Sequence, residues 1–103
     1  MMALSFGGVS LSEKDGKLQN DATGQSIKLG AKEFQLMELF LRNAGQILPK
    51  ETLIERVWGY ESDAEYNNLE VYVSFLRKKL AFVGAQVKIK ASRGLGYALE
   101  ADQ

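Results

Sequence analysis

The chain has 103 residues, 46% hydrophobic and 25% charged, the make-up of one ordinary globular domain that can close a core without disulfides or metals. It contains no cysteine and no histidine, which excludes a disulfide framework, thiolate chemistry, a transition-metal site and any histidine-based triad. No apolar run is long enough to span a bilayer and no leader-like start is present, so a cytoplasmic protein with no membrane partner is expected. The formal net charge of zero argues against a simple polyanion binder.

The charges are segregated, however. Between Tyr66 and Tyr97 the cations Arg77, Lys78, Lys79, Lys88, Lys90 and Arg93 meet a single anion, Glu70, whereas the first 65 residues hold seven cations and ten anions. A positive pole therefore sits in the last third of the chain.

Taken in order, residues about 3–29 alternate in short runs separated by turn residues: Leu4-Ser5-Phe6, then Gly7-Gly8, then Val9-Ser10-Leu11-Ser12. Asp15-Gly16 is a hairpin signal, Asn20-Asp21-Ala22-Thr23-Gly24 is a second break, and Ser26-Ile27-Lys28-Leu29 closes the section. Three or four short antiparallel strands are expected, with too little apolar content to stand alone, so one face must rest on helices. A helix is predicted over about 31–43, with Phe34, Leu36, Met37, Phe40 and Leu41 forming a wide apolar face, Gly30 as its N-cap and Gly45 to end it. After a very short strand at Ile47-Leu48, Pro49 opens a second helix over about 50–58, with Leu53, Ile54, Val57 and Trp58 on one face and Gly59 as terminator.

A third helix is predicted over about 66–82, and the rest of the chain is organised around its segment 67–80. Leu69, Val73, Leu76 and Leu80, continued by Val83, form one apolar stripe at helical spacing. The opposite side carries Asn67, Val71, Ser74, Phe75 and Lys78, with Arg77 and Lys79 on the flanks. Amides, a hydroxyl, apolar groups and cations on one face suit a helix in a DNA major groove, where amides read base edges, apolar groups meet thymine methyls and cations meet phosphates. The alternative is that another part of the fold covers Val71 and Phe75. Last comes a basic hairpin over about 86–100: Val87-Lys88-Ile89-Lys90-Ala91 alternates, Gly94-Leu95-Gly96 turns, and Tyr97-Ala98-Leu99 returns. A glycine-rich phosphate loop is the weaker reading of that turn, because no longer fingerprint accompanies it.

The stretches Leu29-Gly30-Ala31-Lys32-Glu33-Phe34, Ala44-Gly45-Gln46-Ile47, Leu53 to Gly59, Asn68 to Leu80 and Arg93 to Tyr97 stand in the order and spacing of one known family. The chain resembles the C-terminal winged-helix effector domain of OmpR/PhoB-type response regulators. The resemblance implies an α+β winged helix-turn-helix with an N-terminal antiparallel sheet, three helices and a C-terminal hairpin wing, here as a single domain over 1–103. It implies sequence-specific binding to double-stranded promoter DNA, often as a tandem dimer, with no cofactor and no enzymatic activity. The third helix enters the major groove and the wing, 87–99, lies at the minor groove and backbone. The residues so implied are Asn67, Asn68, Val71, Tyr72, Ser74, Phe75 and Lys78 in the groove, Trp58, Arg77 and Lys79 at phosphates or supporting them, and Ala91, Arg93, Gly94 and Tyr97 in the wing. Core packing is the alternative for Trp58 and for the Tyr97 ring, and an ion pair with an acid such as Glu33 is the alternative for Arg77. The loop Tyr60, Glu61, Ser62, Asp63, Ala64 and Glu65 falls where the family touches RNA polymerase. A receiver domain is absent from this chain, so an effector piece of a longer regulator is expected, with Met1-Met2 as an artificial start.

Three departures are visible. Ser74 and Phe75 stand where relatives often carry arginines, Gly30 stands before the first long helix in place of threonine or serine, and Ala91 opens the wing turn in place of threonine. Fewer charges at the interface imply a shallow salt dependence, and Phe75 implies some reliance on A·T-containing sites. The competing function is a winged helix used mainly for protein contacts, suggested by the zero net charge and by Val71 and Phe75.

Overall fold

Four short strands meander into one antiparallel sheet in the computed structural model, which describes residues 4–59 and 66–102. They are β1 (Leu4–Phe6), β2 (Val9–Ser12), β3 (Lys17–Asn20) and β4 (Ser26–Lys28), paired in sequential order. Alternation places Val9, Leu11 and Leu18 on the inner face, where all three are buried. The β2–β3 turn closes through Gly16, whose N–H donates to the Ser12 carbonyl at 2.8 Å at a backbone φ of +69°. A side chain would resist that conformation.

Helix α1 (Ala31–Arg42) follows directly. Gly30 offers no side-chain cap, so the cap runs the other way: its N–H donates to Glu33 Oε1 at 2.6 Å. Leu36, Met37, Phe40 and Leu41 are buried as the apolar face requires, and Asn43 ends the helix with its N–H and its side-chain amide both on the Leu39 carbonyl. Helix α2 (Lys50–Trp58) starts one residue after Pro49, which occupies the N-cap position, and it buries Leu53 and Val57. Helix α3 (Tyr66–Phe82) lays Leu69, Val73, Leu76 and Leu80 into the core between the other helices and the hairpin, and Val83 continues that stripe. At about 2 kcal/mol for each fully buried aliphatic side chain, this stripe ties α3 to the core as firmly as the apolar face of α1 ties that helix.

The hairpin consists of β5 (Val87–Ser92) and β6 (Gly96–Ala101), paired from Val87↔Ala101 to Ser92↔Gly96. Val87, Ile89, Tyr97 and Leu99 face the core. The short strand expected at Ile47-Leu48 is a single bridge: Leu48 exchanges hydrogen bonds with Tyr97 at 2.7 and 3.1 Å, so β6 lies between β5 and this third segment. Contact there is close enough to require glycine. A Cβ on Gly96 would stand 1.9 Å from the Leu48 carbonyl oxygen, at a φ of +149°. The architecture is the expected winged helix: sheet, three helices and a C-terminal hairpin.

Candidate nucleic-acid interface

Helix α3 turns about 100° per residue, so its three consecutive cations point in three directions. Arg77 faces the hairpin, Lys78 faces outward and Lys79 faces the N-terminal sheet. The structure gives each a different employment. The Arg77 guanidinium grips the Ile89 carbonyl through Nε at 3.0 Å and Nη2 at 2.7 Å, and lies 5.9 Å from the Tyr97 ring centre. Lys79 Nζ donates to Glu33 Oε1 at 2.7 Å and to the Lys28 carbonyl at 3.0 Å. The acid that sequence reasoning offered to Arg77 therefore belongs to Lys79, because the two positions lie on opposite flanks of the helix. Lys78 is exposed.

The outward face holds Val71 and Phe75 one turn apart, exposed to 45% and 40%, with half-buried Ser74 between them and Lys78 a turn beyond. Among the described residues nothing buries these two apolar side chains, so the alternative that treated them as packed is set aside. Asn68 is exposed on the flank nearer α2. Asn67 belongs to the first turn of α3, but its side chain lies outside the described residues, as do Tyr60, Glu61, Ser62, Asp63, Ala64 and Glu65.

Tyr72 does not reach the outward face freely. Its ring stands edge-on to Phe75 at 5.4 Å and to Trp58 at 5.5 Å, forming an aromatic row from the end of α2 to the surface of α3. Trp58 is half-buried against the core, so it supports the row from behind.

In the hairpin, Ala91, Arg93 and Gly94 are exposed at or beside the turn, and Leu95 at its tip is 62% exposed. Tyr97 is the exception among the wing residues: only 5% exposed, it is a core ring that carries the cations Arg77 and Lys50 over its face. Burial raises its phenol above the ordinary value of 10.0; the Glu70 carboxylate adds to the rise and Arg77 opposes it. Lys88 and Lys90 belong with the exposed cations although neither was singled out as a site residue. Their signal was the alternation Val87-Lys88-Ile89-Lys90, which buries one set and exposes the other. Lys88 sits directly across from Glu100 in the register.

The exposed cations Lys78, Lys90 and Arg93 thus stand on α3 and on the hairpin that packs against it. Residues 24–99 match the family described as "Transcriptional regulatory protein, C terminal". The chain belongs to this family. Its members here are OmpR/PhoB-type response regulators. The transcriptional regulatory protein DltR of Streptococcus agalactiae serotype III (strain NEM316) is 48% identical over 97 residues, covering 94% of this chain and 42% of DltR. The solved C-terminal domain of NsrR, a nisin resistance regulator, superposes with a TM-score of 0.79 at 31% identity, covering 97% of this chain and 99% of that one. The DNA-binding domain of Klebsiella pneumoniae RstA, solved in complex with the RstA box, superposes with a TM-score of 0.77 at 25% identity, covering 97% and 98%.

The chain spans less than half the length of the curated relatives it matches. Membership gives the class of function: a DNA-binding effector domain of the response-regulator type. Among the described residues no helix is long and apolar enough to cross a membrane.

Proposed function

We propose that this domain controls transcription by binding duplex promoter DNA in a sequence-dependent way, with α3 in the major groove and the β5–β6 turn at the neighbouring backbone and minor groove. The observation that carries the reading is the division of labour on α3. Its inner stripe is wholly buried, Arg77 and Lys79 brace the flanks, and Asn68, Val71, Ser74, Phe75 and Lys78 are left facing out. Bases are read by groups of these kinds, and phosphates by Lys78, Lys90 and Arg93. Ala91 and Gly94 let the turn approach the backbone closely because neither carries a long side chain.

The family supports the remaining parts of the proposal. A receiver domain elsewhere in the regulator sets when the effector domains pair on adjacent half-sites, and phosphorelay from a sensor sets the receiver. The segment Tyr60 to Glu65 is acidic and therefore suits a contact with RNA polymerase better than one with phosphate. Such a regulator works in the cytoplasm and needs neither cofactor nor catalytic group.

The test is selection from a pool of random duplexes at two salt concentrations. An enriched motif is expected. With about three phosphates neutralised, log Kd should rise with log salt at a slope of roughly 3. Lys78→Ala and Arg93→Ala should each weaken binding about equally across sequences and lower that slope by about 1. Undiminished binding by both variants would remove α3 and the turn from the interface.

A further inference from the structure

Phe75 is one of five large apolar side chains left exposed among the described residues, with Ile47, Val71, Phe82 and Leu95, and it stands with Val71 on the outward face of α3. An apolar ring left 40% exposed, next to Val71 at 45%, forgoes burial that other residues of α3 obtain in full. Nor is the ring loosely held. It rests edge-on against Tyr72, which rests edge-on against Trp58, which is anchored at the core. A side chain supported in this way loses little freedom when it meets a ligand. Together with Glu70, Val71 and Ser74 it lines a shallow depression on the outward face of α3.

The surroundings decide the occupant. The lining carries one anion, Glu70, but Lys78 stands a turn away and Lys90 and Arg93 are exposed on the hairpin, so a polyanion that reaches these cations is favoured over an apolar protein surface. In a major groove the apolar group offered at the base edges is the 5-methyl of thymine. Guanine offers two acceptors, which a phenyl ring would bury without partners, and adenine offers an acceptor and a donor.

We propose that Phe75, with Val71 beside it, reads thymine 5-methyl groups, and that the Trp58–Tyr72–Phe75 row fixes the ring at the depth this requires. The inference rests on the DNA-binding reading and adds to it the feature of the ligand that is recognised.

Uracil tests it, since it differs from thymine only by the missing methyl. The duplex most enriched from the random pool is titrated as the thymine form, as the form with uracil at every thymine, and with uracil at one position at a time. Wild-type protein should lose about fourfold in affinity for each contacted methyl, the equivalent of one buried methylene-sized group. Phe75→Leu should keep most of the discrimination. Phe75→Ala should lose it at one base position while remaining folded by circular dichroism, and Phe75→Arg should exchange it for a preference for guanine. Equal affinity of wild type for the thymine and uracil forms, with Lys78→Ala still weakening both, overturns the methyl readout and leaves DNA binding intact. Retention of no duplex at all overturns the DNA-binding reading, and this inference with it.

Discussion

The N-terminal sheet and the C-terminal hairpin are both antiparallel, and both lean on α3, but they are attached by different means. Hairpin and core are continuous: Val87, Ile89, Tyr97 and Leu99 are core residues, Leu48 supplies a third segment by a two-way backbone bridge, and Arg77 grips the Ile89 carbonyl from α3. The sheet shares the core through Val9, Leu11 and Leu18, and its polar attachment is made at a few points. Asn20 donates its side-chain amide to the Val83 and Gly84 carbonyls at the end of α3, and Lys79 reaches across to Glu33 and Lys28. The difference suits the proposed function. On that reading, a hairpin that presents Arg93 to DNA has to be held in register with the helix that reads it. A sheet that covers the back of the helices needs only to be fastened.

The comparison breaks most sharply at Gly96. Gly96→Ala drives a Cβ into the Leu48 carbonyl oxygen at 1.9 Å. The bridge must open, with two backbone hydrogen bonds worth about 1 kcal/mol each and an overpacking penalty of roughly 1–3 kcal/mol on top. A loss of about 3–5 kcal/mol by urea unfolding is expected, a large part of the stability of a domain this size. Amide exchange should accelerate first in β5 and β6. Substituting Asn20→Ala is the matching cut on the other side. It strands the Val83 and Gly84 carbonyls at the helix end and removes the acceptor of the Ala22 N–H, at a cost of about 2 kcal/mol. Here exchange should accelerate in β1–β4 and leave the hairpin protected. If either variant loosened both regions equally, the two attachments would not be independent.

Periodicity made most of the fold legible. The stripe from Leu69 to Leu80, the alternation in β2, β3 and β5, and glycines at Gly16, Gly59 and Gly94 each follow from local rules, and the four-stranded sheet, three helices and hairpin stand where those rules put them. The outward face of α3 was legible for the same reason. What local rules do not carry is pairing across distance. Glu33 lies 46 residues from Lys79 and Asn20 lies 63 from Val83, and no spacing in the sequence links them. Arg77 and Lys79 look equivalent as flanking cations until the elements on either side of α3 are in place. Leu48 looked like a stub of strand, and only the position of β6 gives it a partner. The aromatic row is of the same kind, because Trp58 and Tyr72 sit on different helices.

Arg77 allows the comparison to be sharpened by a smaller effect. If its guanidinium is a brace, its shape matters more than its charge, since two donors converge on one carbonyl and an ammonium cannot reproduce that fork. Arg77→Lys should therefore cost about 1 kcal/mol of stability, less than the roughly 1.5–3 kcal/mol of a charged hydrogen bond because the residue is exposed. The salt slope of DNA binding should stay unchanged. The informative readout is the double variant. With the brace gone, the hairpin turn is less well placed, so Arg93→Ala should weaken binding less in the Arg77→Lys background than in wild type, a non-additivity expected only of coupled positions. A phosphate contact predicts the reverse: Arg77→Lys would be nearly neutral, Arg77→Leu would lower the salt slope by about 1, and the effect of Arg93→Ala would be the same in both backgrounds.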